Sequence, residues 1–328
     1  MTPANSKMQR TSVTAQIGGS IAGLALLCAV LCYGQQGSDP LTESRALLNE
    51  GKLNQSEAAL HNYLKEHPAS AEAHFLLGYV LFREQNAVES LAEFTAGAHY
   101  ERPKADELKA VASDYVLLKD YADADKWFTE VTRETPGDAD SWYLLGRTKY
   151  NENAFTDAAS DFEHSLTLRP KSVEAENNLG LTWKELNSLD KAKAAFQTAI
   201  EWEGDAPRDS QPFLNLGTML ADDGKLDEAL PPLLKAASLS PENPKIHEEL
   251  GQVYEAQKDL PKAQAELEQA VALAPSASGL HFKLGQIYRH ENMHDRAQHE
   301  FDLCEKLNST HSSSSTPNPL APVQSSPR

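Results

Sequence analysis

Apolar side chains along this chain come in short bursts at three- and four-residue spacing, the stripe left by helices that bury one face. The pattern is fullest between residues 139 and 172. Trp142, Leu145 and Gly146 fall on one face of a first helix, and Ala158, Phe162 and Ser165 on one face of a second. Asn151-Glu152-Asn153 makes the polar break between them, and Pro170 stops the second helix. Helices this short are marginal in water, so packing must stabilise them. The small residues indicate how: Gly146 and Ala158 let the two helices approach, while Trp142 and Phe162 fill the space on either side.

The pair recurs at a fixed interval. Leu77-Gly78 precedes Leu145-Gly146, and Leu179-Gly180, Leu216-Gly217, Leu250-Gly251 and Leu284-Gly285 follow, with Val111-Ala112 filling the missing slot; the steps are 34 residues, except one of 37 between Gly180 and Gly217. A period of this length marks a repeat array, whose units bury apolar surface only against their neighbours. Other slots keep the phase. Ala124, Ala158, Ala192, Ala229, Ala263 and Ala297 hold one position of the second helix, and Phe94, Phe128, Phe162, Phe196, Leu233, Leu267 and Phe301 lie four residues further on. Pro68, Pro136, Pro170, Pro241 and Pro275 close units, and Ser70, Asp138, Ser172, Asp209 and Asn243 are placed to cap the helices that follow.

A 34-residue unit with Trp-x-x-Leu-Gly, then Tyr, Ala, Phe and Pro at these offsets, resembles the tetratricopeptide repeat. The resemblance covers about residues 37–311, in eight units near 37–70, 71–104, 105–138, 139–172, 173–209, 210–243, 244–277 and 278–311. It implies an all-α fold, a right-handed superhelical solenoid of antiparallel helix pairs over 35–311. The first unit departs most, with Ser44 and Ser56 in the Gly and Ala slots, as a capping repeat can. The extra residues of the fifth unit, in Glu201-Trp-Glu-Gly-Asp-Ala-Pro-Arg-Asp209, predict a loop that widens the array locally. Pro231-Pro232 falls inside a predicted helix and threatens a kink, whereas Pro261 falls at a helix start.

In that family, function comes from the concave face, lined mainly by the first helices. The resemblance therefore implies a non-catalytic scaffold that binds a peptide or protein segment in a groove. The positions it assigns to the groove are Tyr79, Phe82, Tyr143, Arg147, Tyr150, Asn177, Asn178, Lys184, Leu214 and Asn215. Aromatic rings and arginine supply the contact area and forked hydrogen bonds of a recognition surface. Asn178-Leu-Gly180 and Asn215-Leu-Gly217 are similar to superhelices in which an inner asparagine ladder grips an extended peptide. The Lys and Asn set with which some members clamp a C-terminal carboxylate is absent, since Ser113 and Leu144 follow Lys109 at the clamp positions.

Outside the array, residues 1–34 carry Lys7 and Arg10 and then an uncharged run from Ile17 to Tyr33, the layout of a secretory signal cleaved after Gly34; uncleaved, residues 17–33 would anchor the chain in a membrane. The expected location is periplasmic or extracellular. The last helix is expected over about 295–308, and residues 312–328, rich in Ser and Pro, are expected to be disordered.

Charge excludes one class of partner. With 48 Asp and Glu against 30 Lys and Arg, the net charge of −18 leaves no broad basic surface for nucleic acid. Of the three cysteines, Cys28 and Cys32 lie in the apolar leader, so Cys304 stands alone in the array and packing, not disulfides, must hold the fold. No cofactor is implied. His290-Glu291-Asn292-Met293-His294 matches the H-E-x-x-H zinc pattern in letters, but that chemistry needs both histidines on one continuous helix, and the register puts the string across a turn. A metal-binding or enzyme-accessory role of the last repeat, from His281 to His299, and self-assembly through the end repeats are the alternative readings.

Overall fold

The computed structural model describes residues 40–313, and the leader 1–34 and the tail from 314 lie outside them. Sixteen α-helices and no strand occupy the described residues, as eight consecutive pairs. The first four pairs are α1 (Pro40–Asn49) with α2 (Leu53–Glu66), α3 (Ala71–Arg83) with α4 (Ala87–Ala98), α5 (Ala105–Leu117) with α6 (Tyr121–Glu134), and α7 (Ala139–Asn151) with α8 (Phe155–Leu168). Then come α9 (Val173–Glu185) with α10 (Leu189–Glu203), α11 (Gln211–Asp222) with α12 (Leu226–Leu239), α13 (Pro244–Ala256) with α14 (Leu260–Leu273), and α15 (Ser278–His290) with α16 (His294–Ser313). Each helix packs on its partner and on the next pair, so the array is an all-α superhelical solenoid. The final helix runs past 308 to Ser313.

The glycine beat is a crossing point. A Cβ on Gly146 would lie 2.9 Å from the Phe162 ring, on Gly180 2.6 Å from Phe196, on Gly217 2.5 Å from Leu233, and on Gly285 2.6 Å from Phe301. In every case the opposing side chain is 16 residues on, in the partner helix. Phe162, Phe196 and Leu233 are fully buried. Two units carry a Cβ there: the first has Ser44, and the third has Ala112, itself buried beside Phe128.

Eight helix-to-helix turns close with a residue in the left-handed region, always seven positions after the glycine slot: Gly51, Gln85, Lys119, Asn153, Asn187, Gly224, Lys258 and Asn292. Around Gln85 the hydrogen bonds are Gln85 N–H to Phe82 O at 3.0 Å and Asn86 N–H to Leu81 O at 2.9 Å, a helix-ending motif that satisfies carbonyls left free by the last turn. Caps fix the other ends. Ser70, Asp138, Ser172 and Asn243 accept backbone N–H bonds from Ala73, Asp140, Ala175 and Lys245, and Asp209 accepts one from Gln211 at 2.8 Å.

The tryptophan slot ties each pair to the preceding loop. The Trp142 indole N–H donates to Pro136 O at 3.0 Å. In three other units a histidine does this work: the Nε2 atoms of His74, His247 and His281 lie 2.9–3.0 Å from Pro68, Pro241 and Pro275 O, and their Nδ1 atoms 2.6–2.7 Å from Glu93, Glu266 and Glu300. His247 is thus a structural bridge.

The long fifth unit carries its insertion between α10 and α11. Its extra residues lengthen α10 and form an exposed loop, closed by Glu203, which accepts the Arg208 N–H at 2.7 Å. The core passes it unbroken, as one connected set of buried residues from Ala192 and Phe196 through Phe213 and Leu250 to Ala297. The first four units instead hold four smaller clusters. Helix α12 continues through Pro231 and Pro232, with Pro231 on the exposed side.

Candidate functional site

The first helices of units two, three and four present a continuous trough, made of three adjoining cavities. Near the starts of α3 and α5 a cavity of about 370 Å³ is lined by Arg45, Glu72, Phe75, Tyr79, Lys104, Asp106 and Glu107. Tyr79 and Asp106 also border the next cavity, of about 490 Å³, with Phe82, Lys109, Ser113 and Leu144. Phe82, Ser113 and Leu144 in turn border a third, of about 370 Å³, which reaches the ends of α3, α5 and α7. Its walls are Phe82, Val116, Leu117, Leu144 and the face of Phe128, and its polar lining is Arg83, Gln85, Ser113, Arg147, Thr148 and Asn151.

Polarity changes along the trough. At the helix starts Arg45 is paired to Glu72 and Lys109 to Asp138, and Lys104 shares its cavity with Asp106 and Glu107. At the helix ends the third cavity has two guanidinium groups and no carboxylate in its lining. Leu117 is 48% exposed and the neighbouring Leu118 45%. The Tyr79 and Phe82 rings lie 5.8 Å apart, tilted to one another.

From the fourth unit onward the same face is bonded to itself. Asn178 Nδ2 donates to the Tyr143 hydroxyl at 3.3 Å and to Glu174 O at 2.8 Å. Asn215 Nδ2 donates to Asn177 Oδ1 at 2.9 Å, and Lys184 Nζ to Asp222 at 2.8 Å. Further on, Lys283 and Lys245 both bind Glu248; burial works against its charge, yet these lysines hold its carboxyl below the usual range. Neighbouring first helices are stitched together here by their own polar groups.

The expected groove residues therefore divide. Tyr79, Phe82 and Arg147 line the trough. Tyr143 sits half-buried against Phe162 with the Arg147 guanidinium 5.7 Å from its ring centre, and burial pushes its hydroxyl up. Tyr150 packs edge-on against Phe155 at 5.4 Å, its hydroxyl also raised by burial. Asn178, Asn215 and Lys184 are engaged in the cross-links just described. Asn177 is 7% exposed and Leu214 6%: Leu214 belongs to the core cluster, so its side chain serves packing and not the groove. Of the two asparagine rungs, Asn178 is bonded to Tyr143 and Glu174 O, and Asn215 to Asn177, so both amides already have partners within the array.

Sequence reading missed Arg83 and Leu117. Both lie five residues after the glycine slot, as does Asn151, so a position that lines the third cavity in three successive units was legible once the register was known. The H-E-x-x-H string falls across a turn: His290 ends α15, Asn292 has φ 61°, and His294 begins α16. His290 faces Glu255 at 3.5 Å and His281 is held between Glu300 and Pro275 O. Among the described residues, no three His, Cys, Asp or Glu side chains are grouped to hold a metal ion, and no helix is long and apolar enough to cross a membrane.

Models of the tetratricopeptide repeat match residues 41–106 and 248–301, and again 139–172 and 173–205; a TPR repeat model matches 217–258. The BBSome complex member BBS4 of Bos taurus is 27% identical over 199 residues, which are 60% of this chain and 31% of that protein. The match thus spans less than a third of that relative's length. Among solved structures, a tetratricopeptide repeat protein from Parabacteroides merdae superposes with a TM-score of 0.60 at 19% identity, over 76% of this chain and 97% of the other. The APC/C hetero-tetramer Cut9-Hcn1 gives 0.58 at 17% identity, over 80% of this chain and 51% of that one. At these identities the likeness is one of fold.

Proposed function

The chain belongs to the tetratricopeptide repeat family, and from that premise we propose that it is a non-catalytic scaffold for protein–protein interaction whose trough across α3, α5 and α7 receives an extended segment of a partner. The observation that carries this reading is the contrast within one face. From the fourth unit onward first helices satisfy each other's polar groups, whereas units two to four leave aromatic, aliphatic and guanidinium groups open to solvent in a continuous depression. An exposed apolar surface next to unmatched polar groups is characteristic of recognition sites. The helix pairs hold the trough in shape before binding, so the scaffold loses little conformational freedom on association.

A photo-crosslinking side chain at Leu117, in the trough, can be compared with one at Leu234, which is 47% exposed on the outer helix α12. A discrete partner is expected from Leu117 and none from Leu234. Equal labelling from both positions would remove the trough as the binding surface. We further propose that the apolar leader directs export; amino-terminal sequencing of the mature protein is expected to begin near Gln35.

A further inference from the structure

We propose that the cavity at the ends of α3, α5 and α7 takes a segment of a partner protein in which an apolar side chain is flanked by an Asp or Glu side chain. The inference rests on the trough being the binding surface, and it names what that surface selects.

The apolar half of the inference comes from the walls. Phe82, Val116, Leu117 and Leu144 surround a space of about 370 Å³, the scale at which a protein site encloses a small apolar group. Leu117 lies in the last turn of α5, half in water, while Phe128 closes the floor and is itself fully buried. An inserted leucine or phenylalanine side chain would remove the exposed faces of Leu117 and Phe82 from water without disturbing any bond within the array.

The acidic half comes from charge. In a chain with 48 acidic and 30 basic residues, carboxylates are abundant partners for any cation. Arg45, Lys109, Lys184 and Lys283 have each found one across the neighbouring unit. Arg83 and Arg147 have none among the described ion pairs, although both are exposed and both line the same cavity. The acid next in sequence, Glu84, turns inward: its Oε1 is buried without a hydrogen-bond partner, and burial raises its carboxyl. Gln85, Ser113 and Asn151 complete the lining with neutral groups. A guanidinium presents a fixed fork of N–H donors that matches a carboxylate in geometry, and an apolar wall beside it shields that contact from water. The cavity opens into the middle of the trough, where Lys109 and Asp106 stand, so a bound chain can continue beyond it. That continuity favours an internal segment, with the carboxylate on a side chain.

A library of short random peptides displayed on phage, selected on the immobilised full chain, provides the probe. The enriched consensus, made as a fluorescent peptide with an amidated C-terminus, is then titrated by anisotropy. The proposal expects Leu or Phe within two positions of Asp or Glu. It also expects Arg83→Ala with Arg147→Ala to weaken binding roughly tenfold to a hundredfold, with an unchanged melting temperature because both side chains are exposed. Arg289→Ala, at the far end of the face, should leave binding unchanged. A consensus without an acid, an affinity indifferent to the two arginines, or binding that requires a free C-terminal carboxylate would each overturn the acidic selectivity. Leu117→Lys separates that failure from a deeper one. If it abolishes binding while the arginine pair has no effect, the trough stands and its proposed chemistry falls; if peptides bind equally to Leu117→Lys, the trough itself is not the site.

Discussion

Asp114 occupies a position that elsewhere holds Val80, Thr148, Thr182, Met219, Val253 or Ile287, all buried. It is fully buried too, and burial pushes its carboxyl up to about 6. The neighbouring hydroxyl explains how it is accommodated. Ser90 Oγ lies 2.9 Å from Gly78 O and 2.6 Å from Asp114 Oδ2, and it has one proton to give. In the preceding unit the equivalent Ser56 donates to Ser44 O at 2.9 Å. If Ser90 does the same with Gly78 O, Asp114 must donate to Ser90, and the chain is complete only with a protonated carboxyl. A folded-state pKa above the unfolded one makes this contribution fully present below about pH 4 and lost as pH rises through about 6. The shift is worth about 3 kcal/mol. Asp114→Asn keeps a donor toward Ser90 and removes the titration. Urea unfolding is expected to find the variant more stable than the parent by about 2–3 kcal/mol at pH 8 and little different at pH 4. Equal stability differences at both pH values would refute the assignment.

Elements in this array are set by two contacts of opposite character, a tight crossing and a strained turn. At Gly180 a Cβ would lie 2.6 Å from Phe196, a buried ring with no room to retreat. Gly180→Ala gains about 1 kcal/mol of helix propensity but overpacks the crossing by about 1–3 kcal/mol. Thermal unfolding is therefore expected to show a net loss, and a stabilised variant would mean that the helix pair can part at small cost. The turns point the other way. Lys119 and Lys258 have φ 60° and 67°, where Gly51 and Gly224 stand in the equivalent turns. Replacing either lysine by glycine relieves the left-handed conformation at some entropic cost, for an expected gain of about 0.5–1 kcal/mol each, measurable by denaturant midpoint.

Across the whole molecule, buried apolar contact is uneven. The last four units share one connected core, and the first four hold separate clusters. Stability in a solenoid is roughly a sum of units and interfaces, so the connected half should open last. Hydrogen exchange is expected to be slowest in α11–α14 and faster in α3–α8. Uniform protection would show that apolar connectivity does not govern opening. The trough lies in the less connected half, in units two to four, where small adjustments between helix pairs meet the least resistance.

Periodicity alone was enough to determine the helix pairs, their number and the residues at each crossing, because burial, turn and cap requirements repeat in every unit and so reinforce one another along the chain. Gly146, Phe162 and Asn153 could be placed from their phase before any coordinates. The face chosen for binding was legible only in part. Tyr79, Phe82 and Arg147 follow from phase, but the same reasoning selected Asn177 and Asn215, which bond to each other, and Leu214, which is buried. Phase gives the side of a helix on which a residue sits; which neighbour reaches it depends on the rotation between successive pairs. Only the tertiary structure decided that Lys184 meets Asp222 while Arg83 and Arg147 meet no carboxylate, and that three short helices enclose an apolar cavity beneath those two charges. Those distances are set by the packing of separate units, and no local pattern encodes them.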